Sequence, residues 1–230
     1  MDDSEIQQLD DLESSHFWYR ARKLQLDRWF WRQGSHLKVL DLGSATGGNT
    51  LHISSLGHYV TSAEYSQMGI AIQKNKGIPV VQADARDLPF SDSAFDIVVC
   101  LDVIEHIVED GIVTSEIHRV LKPGGKFLVS VPEDPKLWSA HDVAVSHVRR
   151  YTRAELIKVV SESGLNFQNI WSTLTYLRPA IVLARRFSKG SSLEPMNSLL
   201  NYLLLQVCRI ELFMPRTRIK GVTLWIDGTK

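Results

Sequence analysis

Between residues 38 and 131, short apolar runs alternate with stretches of helical periodicity, and four of the runs carry an acid at or near their last residue: Asp41, Glu64, Asp84 and Asp102. Near-continuous apolar runs of this length are strands buried on both faces. Their alternation with helices prescribes a parallel sheet covered on both sides. The strands are expected over residues 38–42, 59–63, 78–82, 95–101 and 126–131, and the helices between them over 49–56, 66–75 and 110–121. Ser66 stands where an N-cap belongs, and Lys122-Pro123-Gly124-Gly125 closes the third of these helices. A further helix over 152–163 opens with Thr152 and Glu155 at capping-box spacing and closes at Gly164. Strands over 166–173 and 221–227 complete the pattern.

Two segments stand outside this rhythm. Residues 16–33 form an aromatic- and arginine-rich helix ending near Gly34, read as packed on the domain by one face, with a lid as the second reading. Before the last strand, helices are expected over 176–187 and 195–213, joined by the polar stretch 188–192. The division is therefore an N-terminal helical cap segment, 1–36, and one α/β domain, 37–230, with a helical insertion over about 174–216. Trp171, Tyr176, Leu177, Ile181 and Leu204 are expected to line an apolar pocket under this insertion. Met196, Leu199, Leu200, Leu203 and Val207 form a stripe assigned to packing or dimerisation, so monomer and homodimer both stay open.

Composition narrows the partners. Lys+Arg and Asp+Glu are both 26, and this balance argues against a nucleic-acid partner, which normally demands a basic excess. Cys100 and Cys208 are too far apart in sequence for a metal-ligand motif, and with no secretory pattern in residues 1–11 the expected location is the cytoplasm. The apolar run 199–208 is interrupted by Asn201 and Gln206 and falls short of the ~20 residues of a membrane span. A peripheral, surface-lying helix stays open there.

In an open α/β sheet, ligands bind at the carboxyl ends of the strands. The loop Gly43-Ser44-Ala45-Thr46-Gly47 leaves the first strand with small residues that allow close backbone approach, and Glu64 lies about 20 residues beyond, placed to accept ribose hydroxyls. Asp84, with Ala85 beside it, stands where an adenine amino group can be read. A nicotinamide dinucleotide and S-adenosylmethionine both satisfy these features. The first needs a pyrophosphate site at the following helix, and the second does not.

The motifs together resemble the class I S-adenosylmethionine-dependent methyltransferases of the type 11 group. Leu40-Asp41-Leu42-Gly43-Ser44-Ala45-Thr46-Gly47-Gly48 is similar to the family's first motif, with Ala45 in place of the central glycine. Asp84 to Phe90, Phe95 to His106 and Arg119 to Gly125 resemble its later motifs. The resemblance implies a Rossmann-like, seven-stranded, mostly parallel sheet with helices on both faces, a reversed last strand and a helical cap inserted before it. It implies S-adenosylmethionine as cofactor, held by Asp41, Gly43, Ser44, Ala45, Gly47, Glu64, Asp84, Ala85 and Leu101. It also places a covering helix at His16-Phe17-Trp18-Tyr19-Arg20-Ala21-Arg22.

For the chemistry, His147 is the first candidate and His106 the second, since an imidazole can exchange a proton near neutral pH. Asp102-x-x-Glu105-His106 and Asp142-x-x-x-x-His147 have no diagnostic metal spacing, and no metal is assigned. Arg149 and Arg150, with Arg185, Arg186 and Lys189 further on, are the nearest approach to a basic patch and could pair with an acidic acceptor. The expected reaction is methylation of a small organic molecule, on oxygen in preference to nitrogen or carbon. A protein or RNA methyltransferase, a NAD-dependent oxidoreductase and a non-catalytic interaction module are the alternatives.

Overall fold

A computed structural model describes residues 3–187, 196–214 and 219–230. Seven strands form one sheet: β1 (Lys38–Leu42), β2 (Tyr59–Glu64), β3 (Val80–Gln82), β4 (Phe95–Leu101), β5 (Leu121–Pro132), β6 (Asn166–Thr173) and β7 (Thr223–Thr229). Their order is β3-β2-β1-β4-β5-β7-β6. The first five are parallel, while β7 runs antiparallel to both β5 and β6. This is the Rossmann-like sheet expected, with its order reversing between β1 and β4, where such sheets open a crevice for ligands.

The helices are α1 (Asp3–Leu12), α2 (Phe17–Phe30), α3 (Gly48–Ser55), α4 (Gln67–Asn75), α5 (Asp110–Val120), α6 (Ala140–Ala144), α7 (Arg153–Glu162), α8 (Arg178–Phe187) and α9 (Ser198–Phe213). Leu40, Val98, Phe127, Val129, Ile117, Leu156 and Ile226 are fully buried in the main core. On the other face Leu26, Trp29 and Phe30 of α2 pack with Val39, Ile53, Ile97, Val99 and Leu128. The caps form where expected: the Ser66 side chain accepts the Gly69 N–H, and Thr152 and Glu155 complete a capping box.

Several expectations are corrected. Residues 121–125 are not a plain turn: β5 begins at Leu121, pairing Phe95, with a register shift before Ile97 pairs Lys126. Helix α1 was not anticipated, and its three apolar residues Ile6, Leu9 and Leu12 are all buried. Trp171 does not face a pocket; it is buried with its ring stacked on Trp225 at 6.0 Å between centroids. Tyr176 is exposed, whereas Met196 and Leu200 line the cavity described below. Residues 188–195, including the polar linker, Lys189 and the start of the second expected inserted helix, lie outside the described residues, as does the side chain of Arg186. Helices α8 and α9 form the inserted region before β7, and α9 packs beside α2. Among the described residues no helix is long and apolar enough to cross a membrane.

Candidate active site

A cavity of about 1000 Å³ opens over the carboxyl ends of β1, β2 and β4. This is the upper end of the range for small-molecule sites and leaves room for a nucleoside cofactor and a second small molecule. Its floor is the loop after β1. Gly43 sits at φ +72°, and a Cβ there would come 2.3 Å from Val103, so only glycine fits. Ala45 holds φ +48°, fixed from both sides: its N–H donates to Glu64 Oε2 at 2.7 Å, and its carbonyl accepts from Gln73 Nε2 at 2.8 Å. The Ser44 hydroxyl is tied into a buried network with Ser62 and Gln73, so this residue presents its backbone to the cavity.

Gly43, Ser44, Ala45, Glu64, Asp84, Ala85 and Leu101 all border the cavity. Asp41 and Gly47 do not. Asp41 lies beneath the loop, where the Thr50 hydroxyl donates to it at 2.6 Å, and burial, aided by the Glu64 charge, pushes its carboxyl up to about 6. Gly47 is the left-handed residue that starts α3. Both support the loop from below. Glu64 is only 8 % exposed and also accepts the Ser66 N–H at 2.8 Å. Asp84 is engaged by the Arg86 backbone and guanidinium, whose bonds hold its carboxyl below the usual range.

One contact discriminates between the two nucleotide readings. Helix α1 brings Glu13 over the start of α3: Thr46 Oγ1 donates to Glu13 Oε2 at 2.6 Å, and a Cβ on Gly48 would fall 2.3 Å from the same oxygen. Lys76 clamps this arrangement through Asp10 and Glu13. A dinucleotide lays its pyrophosphate on that helix start. Here a carboxylate already occupies the position, so the site suits a cofactor without phosphates. S-adenosylmethionine meets that condition, and Glu64, Asp84 and the small-residue loop are suited to its ribose, adenine and amino-acid head.

The opposite end of the cavity is polar and buried. Glu105 and His106 belong to a short 3₁₀ turn after β4 (Ile104–His106), and His147 follows α6. His147 Nδ1 meets Asp142 Oδ1 at 3.0 Å, and the same oxygen accepts Arg150 Nε at 2.7 Å. Although Asp142 is buried, the His147 bond and the Arg150 charge hold it well below the usual carboxylate range. His106 lies 4.8 Å from His147, ring centre to ring centre, and burial with that neighbour lowers it to about 4. Glu105 is fully buried, its carboxyl pushed up by burial and by Asp102. Arg149 is taken by Asp110, and Arg150 by Asp142 and the Glu133 carbonyl. Arg185 of α8 reaches the cavity wall with Nε and Nη1 buried and without a hydrogen-bond partner, and burial lowers it to about 10.

Sequence reasoning missed two parts of this site and underread a third. Arg22 of α2 pairs with Asp102, which also accepts Ser130 Oγ at 2.9 Å, so the covering helix is pinned to the end of β4. Glu13 lies between residues 1–11 and the helix expected over 16–33, and no role was read for it. Glu105 was weighed only within Asp102-x-x-Glu105-His106, although an acid set between Val103-Ile104 and Ile107-Val108 carried a further signal: a carboxylate among apolar residues is either paired or functional.

The sequence profile of the family described as "Methyltransferase domain" matches residues 40–129. A demethylmenaquinone methyltransferase of Clavibacter sepedonicus is 29 % identical over 139 residues, covering 57 % of this chain and 55 % of its own length. One of Mycobacterium tuberculosis is 31 % identical over 118 residues, covering 51 % of this chain and 48 % of its own. The chain thus spans about half the length of these curated relatives. Among solved structures, phosphoethanolamine N-methyltransferase 2 of Haemonchus contortus, in complex with S-adenosyl-L-methionine, superposes with a TM-score of 0.69 at 19 % identity, covering 100 % of this chain and 57 % of that one. That likeness establishes the shared fold.

Proposed function

Since this chain belongs to the class I S-adenosylmethionine-dependent methyltransferases, we propose that it methylates a small, acidic organic molecule, on oxygen in preference to nitrogen or carbon. The observation that carries this reading is the single cavity joining Glu64 and Asp84 at one end to His106, His147 and Arg185 at the other. Glu64 accepts the ribose hydroxyls, Asp84 and the Ala85 backbone read adenine, and Gly43, Ser44, Ala45 and Leu101 hold the methionine end. S-adenosylmethionine supplies a methyl group on a sulfonium, and the protein's task is to align the acceptor and exclude water.

His147 and His106 activate the acceptor, with Asp142 orienting His147. Arg185 favours a carboxylate or another anion on the acceptor, because a buried guanidinium with two unpartnered nitrogens is otherwise costly. Leu177, Ile181, Leu200 and Leu204 offer an apolar wall for its body. The relatives are named for demethylmenaquinone and phosphoethanolamine, acceptors of very different shape, so the acceptor here is read from these walls. Helices α1, α2, α8 and α9, drawn from the segments before β1 and before β7, act together as the cap over it. A roof made by α1, α2, α8 and α9 supports a small acceptor over a polynucleotide, which needs an open groove.

Calorimetry with S-adenosylmethionine and with NAD tests the cofactor: binding of the first and not the second is expected, and absence of S-adenosylmethionine binding by folded protein sinks the proposal. Turnover on a panel of small hydroxy acids then tests the acceptor end. His147→Ala is expected to lower kcat at least a hundredfold, and full turnover by that variant removes His147 from the chemistry.

A further inference from the structure

We infer that Glu105, His106 and His147 form a binding site for one divalent transition-metal cation, Zn2+ or Mn2+, open on the side that faces the methyl acceptor. The inference deepens the methyltransferase reading and rests on it for the cation's role. One ligand atom from each of these three residues lies within 4.8 Å of the others. The three come from two separate segments, and nothing in their spacing announces the cluster.

The hydrogen bonds around the cluster assign the protons. The Ser146 carbonyl can only accept, so His106 Nδ1, 3.2 Å away, carries the hydrogen and Nε2 keeps its lone pair. Asp142 Oδ1 already accepts from Arg150 Nε, so His147 Nδ1 is the donor to that same oxygen. Both imidazoles are thereby fixed in one tautomer with Nε2 free, and each has a carboxylate or carbonyl behind it, the arrangement that orients metal-bound histidines.

Glu105 supplies the independent observation. It has no exposed surface, and neither carboxyl oxygen has a hydrogen-bond partner. Its Oε1 lies 3.7 Å from His147 Nε2. That is too long for a hydrogen bond, yet it sets two lone-pair atoms against each other. A cation drawn between them satisfies both. Two nitrogens and one oxygen suit such an ion, whereas Mg2+ prefers oxygen alone. Three protein ligands leave positions open, as in catalytic rather than structural sites.

An open position next to the acceptor gives the histidines a way to activate a hydroxyl without themselves taking its proton. The acceptor oxygen binds the cation, which lowers its pKa, and its proton leaves to solvent. A lone pair on that oxygen then forms the O–CH3 bond. The S–CH3 bond breaks, and its electron pair returns to sulfur, leaving a neutral thioether. The acceptor class is thus a hydroxyl compound, best with a second oxygen nearby to complete chelation.

The full chain, stripped with EDTA, is titrated with Zn2+ and with Mn2+ by calorimetry, with native mass spectrometry for stoichiometry and circular dichroism for the fold of each variant. One equivalent is expected to bind. Glu105→Gln and His106→Asn should remove saturable binding, and Asp142→Asn, which among the three ligands touches only His147, should weaken it by about 10–100-fold. A folded, stripped wild type that binds neither ion, or Glu105→Gln and His106→Asn variants with unchanged affinity, would overturn the cation site. S-adenosylmethionine is titrated in parallel: if it fails to bind while Zn2+ binds as expected, the cation site stands and the methyl-transfer role assigned to it falls.

Discussion

Asn201 of α9 accepts the Phe17 N–H at the start of α2 at 2.7 Å and donates to the Ser15 carbonyl at 2.8 Å. One side chain thus ties the inserted region to the segment before β1, across 184 positions of sequence. Glu211 anchors the other end of α9 by accepting the Leu174 and Thr175 N–H groups at 3.0 and 2.8 Å. The two parts of the roof are one mechanical unit, and Phe17, Leu177 and Leu205 share an apolar cluster between them.

Asn201→Ala should therefore loosen the roof without touching the sheet. Losing these bonds costs about 1–2 kcal/mol, which lowers Tm by about 2–8 °C in a chain of this size. Hydrogen exchange should quicken in α2 and α9 and stay unchanged in β1 and β4. Unchanged exchange in α2 would mean that the two parts open independently.

Arg185 predicts a separation of stability from function. Its buried Nε and Nη1 bond to nothing, so Arg185→Met relieves desolvation and should leave stability unchanged or raise it by about 1 kcal/mol. The same change should raise KM for acidic acceptors at least tenfold and leave S-adenosylmethionine affinity as it was. A variant that loses stability and keeps its KM would make Arg185 a structural residue.

Ala45 stands where the family motif usually has glycine, and its φ of +48° is left-handed. A Cβ in that region costs about 1 kcal/mol. Here the Glu64 and Gln73 bonds hold the residue in place. Ala45→Gly should relieve part of that cost and raise Tm by up to about 2 °C, with S-adenosylmethionine affinity equal or higher in calorimetry. A fall in Tm would show that the loop tolerates the left-handed alanine without strain.

The parts of this molecule legible in sequence are those where burial leaves a one-dimensional trace. Parallel strands covered on both faces read as apolar runs, and Glu64 and the Gly43 loop follow from their fixed places at strand ends. Helix α1 was missed because its apolar residues are only Ile6, Leu9 and Leu12 in an otherwise polar stretch, although their three-residue spacing was there to read. Helix α9 carries two apolar stripes. Leu200 and Leu204 line the cavity while Leu199 and Leu203 are exposed, and composition cannot tell one stripe from the other. Glu105 and His147 meet only through the tertiary fold, so no local spacing could join them.

Asp41 gives a pH prediction whose sign is fixed by its environment. Buried beneath the loop, its carboxyl is raised from 3.8 to about 6, chiefly by burial, with the Thr50 hydrogen bond opposing and the Glu64 charge adding to the rise. A raised carboxyl favours the protonated form in the folded state. Its contribution to stability is full below pH 3.8, where folded and unfolded chains are both protonated, and is lost as pH rises through about 6. The difference amounts to up to about 3 kcal/mol. Asp41→Asn keeps an acceptor for the Thr50 hydroxyl and never ionises. Urea denaturation from pH 4 to pH 8 should therefore show the wild type losing stability relative to the variant between about pH 4 and pH 6, with little further change above that. Parallel curves for the two proteins would show that Asp41 is already ionised at low pH and that the buried loop carries a charge throughout.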